Sequence, residues 1–167
     1  MLYCSNEEIM TNTSFPYQVS GEERQEAILE CSQTIQSWGL TMPNTEPLVL
    51  DFGLGRFNEI GEIEFWIVND EKAGYCGKFL FVKDKQTCPY HHHLKKHETF
   101  YIVKGSVRMV IDDEEKILNQ GDVLIMTPQQ KHQFTGIGPA LLLEVSMPSM
   151  RQDNFFSNRS IGEDGVI

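Results

Sequence analysis

From Leu48 onward the hydrophobic residues fall in short runs rich in Val, Ile, Phe and Tyr, separated by Gly, Asp, Asn and Pro. The pattern predicts strands near 48–52, 62–69, 75–83, 86–92, 99–104, 106–111, 115–118, 123–126, 131–135 and 140–146, the signature of a mainly β sandwich or barrel. Lys104-Gly105-Ser106 and Asp112-Asp113-Glu114 are expected to be tight turns. Ahead of Pro47 the period is helical. Ile28, Cys31, Ile35 and Trp38 recur at intervals of 3, 4 and 3, Ser20 and Glu23 have the spacing of a capping box, and Gly39 suits the position after the last turn. One amphipathic helix is expected over about 21–38, preceded by an aperiodic arm, residues 1–19, lying over the surface or over a partner subunit. The expected organisation is a single domain, with residues 1–47 as arm and helix packing on a barrel of residues 48–167.

Composition agrees with a globular domain. The 167 residues are 40% hydrophobic and 23% charged, which argues against disorder, collagen, coiled coil and a membrane-embedded protein. The acidic opening from Met1 to Met10 lacks the basic start and apolar core of a signal peptide. Asp and Glu total 24 against 14 Lys and Arg, a formal charge of −10, so neither nucleic acid nor an anionic membrane is an expected partner. Cys4, Cys31, Cys76 and Cys88 form no CxxC pair and are expected as free thiols in a reducing cytoplasm.

The chemistry is concentrated after Cys88. Alternation along a strand places His91 and His93 on one face and turns His92 away. Glu98 follows a short connection, so a hairpin can carry its carboxylate to the same ion, and His132, in a Pro-containing turn after a second strand, completes a three-His, one-Glu set. The competing reading of three adjacent histidines is a surface tract, and His97 reads as an exposed loop residue. The acids from Asp112 to Glu115 read as a solvated hairpin tip rather than a cation loop.

These residues resemble the two motifs of the cupin superfamily. His91-x-His93, four residues, Glu98, six residues and Gly105 match the first; Gly121, with His132 eleven positions on, matches the second. Lys85 stands where the opening Gly would be, Pro128 falls one residue late, Gln130 sits near the place of the turn Gly, and Gly136 replaces an Asn. The chain is similar, within cupins, to the D-lyxose ketol-isomerases. Leu50-Asp51-Phe52-Gly53-Leu54-Gly55, Gln86-Thr87-Cys88-Pro89, Lys96, Lys131-His132-x-Phe134, Glu144-Val145-Ser146 and Asp153-Asn154-x-Phe156 carry that resemblance across residues 48–158. It implies a double-stranded β-helix with one N-terminal helix, and a manganese-dependent aldose-ketose isomerase.

On chemistry alone the ligand set His91, His93, Glu98 and His132 admits one divalent Mn, Fe, Co, Ni or Zn ion per chain. Four protein ligands leave two octahedral positions, suited to the O1 and O2 of an open-chain aldose. Glu144 is the only charge in an apolar strand, so it lies on a solvated face or points into a pocket, where the resemblance makes it the base. Lys96 reads as a solvated loop lysine, or, by resemblance, as the group that stabilises an alkoxide or relays a proton. Asp153 and Asn154 offer hydrogen bonds to sugar hydroxyls but are also a common turn pair. Phe100, Phe134, Phe155 and Phe156 wall a pocket or fill a core. The five arginines, Arg24, Arg56, Arg108, Arg151 and Arg159, never cluster, which favours a neutral sugar such as D-lyxose or D-mannose over a sugar phosphate. A cupin dioxygenase and a non-catalytic sugar sensor are the competing functions. Because open sheet edges invite pairing and the arm carries Ile9, Met10, Phe15, Tyr17 and Val19, a homodimer is expected.

Overall fold

The helix period survives in the computed structural model, which describes residues 17–167. Helix α1 (Gly21–Ser37) buries Ala27, Cys31 and Ile35, with Ile28 and Trp38 packed at the margin. Its end is a complete Schellman closure: the Gly39 N–H donates to the Gln36 carbonyl at 2.9 Å and the Leu40 N–H to the Ile35 carbonyl at 3.3 Å, with Gly39 at φ +71°. The capping box does not form. Ser20 occupies the N-cap with extended backbone, but its side chain makes no capping bond, leaving Glu22 and Glu23 to complement the positive end of the helix. Of the expected arm, only residues 17–19 are described, and they run along β1, where the Val19 N–H donates to the Val49 carbonyl at 2.9 Å. The rest of the arm, its crossing to a partner and Cys4 lie outside the described residues. Among the described residues, no helix is long and apolar enough to cross a membrane.

Among the described residues, nine antiparallel strands form one curled sheet: β1 (Leu48–Leu50), β2 (Glu62–Asp70), β3 (Tyr75–Val82), β4 (Thr87–His92), β5 (Glu98–Ile111), β6 (Glu114–Asn119), β7 (Val123–Met126), β8 (His132–Ser146) and β9 (Phe155–Phe156). The long β8 holds the barrel together. Its second half pairs with β3, its first half with β4, and β5 lies along its other edge throughout. Residues alternate between two cores. Leu48, Leu50, Leu80, Ala140 and Leu142 face the barrel interior, while Val49, Phe81 and Leu141 face outward and are covered by α1. Each large side chain in that outer layer contributes roughly 1.5–3 kcal/mol by leaving water, so these strands are apolar on both faces.

The turn expected at Lys104-Gly105-Ser106 is instead a bulge inside one continuous β5, with register slips on both sides of Lys104. Gly105 has φ +78°, and a Cβ on it would stand 2.4 Å from the Pro139 carbonyl oxygen. The inward phase switches there from Glu98, Phe100 and Ile102 to Val107 and Met109. Likewise, the segments expected at 131–135 and 140–146 are one strand. The Asp112-Asp113 turn forms as a two-residue loop between paired Ile111 and Glu114, with φ of 47° and 71°, the geometry of a type I′ hairpin. Its acids are engaged in the turn: Asp112 accepts the Lys131 N–H at 2.9 Å, and Asp113 pairs with the Tyr90 hydroxyl.

Lys85, which stands at the place of the motif's opening glycine, is left-handed, at φ +62°. In the second motif the left-handed residue is Gln129, at φ +73°, rather than Gln130. Such residues carry about 1–2 kcal/mol of backbone strain. Lys85→Gly and Gln129→Gly are therefore expected to raise stability by about 0.5–1 kcal/mol after the entropy of glycine is counted, whereas Gly105→Ala should lower it by about 2–5 kcal/mol through strain and overlap. Urea midpoints of the three variants against wild type decide this.

Candidate active site

Strand alternation sends His91 and His93 from β4 into the barrel and leaves His92 half-exposed, stacked on Phe155 at 5.4 Å. His132, at the start of β8, is the direct cross-strand partner of His91. Each Nδ1 faces a backbone carbonyl: Pro89 at 2.7 Å for His91, Asp153 at 2.7 Å for His93 and Gln130 at 3.1 Å for His132. Those bonds fix the tautomer with the proton on Nδ1 and turn the three Nε2 lone pairs inward. The three rings bring their ligand atoms within 4.8 Å of one another. Glu98, first residue of β5, places Oε1 3.2 Å from both His93 Nε2 and His132 Nε2. These three buried atoms have no hydrogen-bond partner. Burial, reinforced by His132 and His93, holds His91 well below the usual imidazole range, so it is neutral. A carboxylate oxygen facing imidazole lone pairs is a donor set that a divalent cation fits.

Lys96 is buried, with Lys95 and His97 exposed on either side. Its ammonium stands 2.9 Å from Glu98 Oε2 and 2.6 Å from Glu144 Oε1. Glu144 points inward from β8, and its second oxygen is 3.5 Å from Lys78 Nζ. Lys78, its cross-strand partner on β3, bonds Glu64 Oε1 at 2.5 Å, and Glu64 Oε2 accepts the Trp66 indole N–H at 2.8 Å. Burial would raise both Glu98 and Glu144, but Lys96 pulls the first well below the usual carboxylate range, and Lys78 with Lys96 pulls the second down. Burial would lower both ammoniums, yet Glu144, together with Glu98 for Lys96 and Glu64 for Lys78, holds them above the usual lysine range. Glu144 is thus an ionised carboxylate in the cavity wall.

The remaining expected residues divide. Phe100 and Phe134 line the cavity, with ring centroids 6.0 Å apart. Phe156 also lines it, stacked on His91 at 5.2 Å. Asp153 stands beneath the cavity rather than on its wall. Its carboxylate accepts the N–H groups of Leu94, Lys95 and Lys96 at 3.0–3.2 Å, which shapes the loop that turns Lys96 inward. Asn154 reaches the wall, but its amide donates to the carbonyls of Met150, Arg151 and Ile167. Sequence reasoning missed Glu62, Glu64 and Lys78, all buried and all on the wall. Their signal was present: acids at positions 62 and 64 alternate with Ile63 and Phe65, and both of those apolar residues belong to the layer under α1.

Residues 78–146, from β3 to the end of β8, match the cupin domain family. The chain is similar to the D-lyxose ketol-isomerase of Thermofilum sp. (strain ex4484_79), 29% identical over 141 residues that cover 68% of this chain and 77% of that one. Solved L-ribose isomerases share its fold. A mutant from Acinetobacter sp. DL28 in complex with L-ribose superposes with a TM-score of 0.73 at 15% identity, covering 92% of this chain and 98% of that one. The Cellulomonas parahominis enzyme with L-ribose gives 0.68 at 17%, covering 90% and 97%.

Glu62 generates a pH prediction. Burial first, then Glu64, push its carboxyl up from 4.5 to about 8, against a smaller opposing effect of Lys78. The folded state therefore binds this proton more tightly than the unfolded chain. Its contribution is fully present below pH 4.5 and is lost as pH rises through about 8. Relative to Glu62→Gln, wild type should lose stability between pH 5 and pH 9, at a slope of up to about 1.4 kcal/mol per pH unit, measured by urea unfolding of both proteins across that range.

Proposed function

We propose that this chain is a metal-dependent aldose-ketose isomerase acting on a small neutral sugar, of the D-lyxose/D-xylulose or D-mannose/D-fructose type. The observation that carries the reading is the meeting of the His91, His93, His132 and Glu98 donor atoms with the buried Lys96–Glu144 pair, at a cavity that all of these but His132 line. Similarity to a D-lyxose ketol-isomerase supports it. The four donors would hold one divalent ion, manganese by the same likeness. When bound, the ion polarises the carbonyl and neighbouring hydroxyl of an open-chain sugar.

The chain's own groups then divide the work. Glu144, ionised and at the wall, takes the proton from C2 and returns it to C1. Lys96, shared between Glu98 and Glu144, donates a hydrogen bond to the oxygen on which charge develops and relays the hydroxyl proton from O2 to O1, so that both protons of the aldose-to-ketose conversion are placed. Phe100 and Phe134 keep water from the enediolate. Neither a dioxygenase nor a sugar sensor gives Glu144 and Lys96 a task, and charges buried without one are costly to fold.

Conversion of an aldose to its ketose by the Mn²⁺-loaded protein, with deuterium from D₂O at C1 or C2 as the sign of an exchanging base, is the direct test; no ketose from any pentose or hexose would reject the reading. Two further outcomes are expected. His91→Ala, His93→Ala, Glu98→Ala and His132→Ala should each lose bound metal by elemental analysis, while His92→Ala and His97→Ala keep one ion per chain. Glu144→Gln should keep metal, fold and sugar binding yet lose turnover by about 10²- to 10⁴-fold.

A further inference from the structure

Proton transfer between C1 and C2 leaves one end of the cavity unexplained. Glu62 is 4% exposed, lines the same cavity, and its Oε2 is fully buried without a hydrogen-bond partner. The groups beside it have their partners. Glu64 is held by Lys78 and Trp66 and also faces the Glu62 carboxyl, and Lys78 is shared by Glu64 and Glu144. The Cys88 thiol hydrogen-bonds to Glu62. Glu62 lies beside Glu64, the member of the Glu64–Lys78–Glu144–Lys96–Glu98 chain that stands at the opposite end from the ligand Glu98, so it faces the part of the cavity remote from the ligand cluster. Raised by burial and by Glu64, this carboxyl keeps its proton near neutral pH. A protonated acid both donates and accepts, as a hydroxyl does, and an unmet buried polar atom is worth about 1–3 kcal/mol once partnered.

We propose that Glu62 is the hydrogen-bonding station for the sugar hydroxyls remote from the carbonyl, at C4 or C5. The inference rests on the isomerase reading and names the substrate end that reading leaves open.

The test uses the full-length Mn²⁺ protein. Glu62→Leu should retain metal stoichiometry but raise KM for the preferred aldose by about 5- to 150-fold and bring its preference between C4 epimers close to unity. Glu62→Gln, which still donates and accepts, should stay within about threefold of wild type in KM, by the same hydrogen-bond reasoning. Wild type alone gives a second readout independent of any variant's folding: 4-deoxy and 5-deoxy aldoses should lose kcat/KM, at least one of them by about tenfold or more. Unchanged epimer preference in a metal-loaded Glu62→Leu, or turnover of both deoxy sugars with the kcat/KM of the parent aldose, would overturn the assignment and leave the isomerase reading standing. Wild type that turns over no aldose and binds no alditol by calorimetry overturns both.

Discussion

The alternation of sign along Glu64, Lys78, Glu144, Lys96 and Glu98 is the constraint to which the rest of the interior is fitted. An isolated ion in a low-dielectric interior costs several kcal/mol even after relaxation, and each member here is tolerated because the next one answers it. The strands supply the spacing. Lys78 and Glu144 are direct cross-strand partners on β3 and β8, and Glu144 is in turn the partner of Phe100 on β5. Acids and lysines thus stand in register, with apolar rings filling the gaps. Removing one member leaves its neighbours buried and unanswered, so the cavity behaves electrostatically as one object.

Local spacing made part of this legible. His91, His93 and Glu98 lie within eight residues of sequence, where alternation and one short connection decide which side chains meet. Glu62 and Glu64 alternate with apolar residues, but which set faces inward was not legible, for a definite reason. When α1 covers one face of β2 and the cavity lies on the other, both faces are buried, and alternation cannot say which set of residues faces inward. Asp153 was misplaced for a different reason. Its partners are 57 to 59 residues away, and nothing near it in sequence signals that its carboxylate is committed to backbone amides.

Glycine as punctuation was the other source of error. Gly105 and the Gly136 to Gly138 stretch looked like strand ends, yet β5 and β8 run through them. What requires Gly105 is the nearness of the Pro139 carbonyl on the neighbouring strand, a contact invisible in one dimension. The converse holds at Lys85 and Gln129, where the backbone turns left-handed without a glycine. The motif is therefore better described by its dihedral angles than by its letters.

Asp153 ties three successive amides of the 94–96 loop with its carboxylate and receives the His93 ring on its carbonyl oxygen. Fixing a backbone residue costs roughly 1–2 kcal/mol of entropy, and here that loss is met when the chain folds. The ring that would meet the ion and the lysine that would meet the sugar are thus already immobilised when either arrives, so little of the affinity for them is spent on ordering the protein.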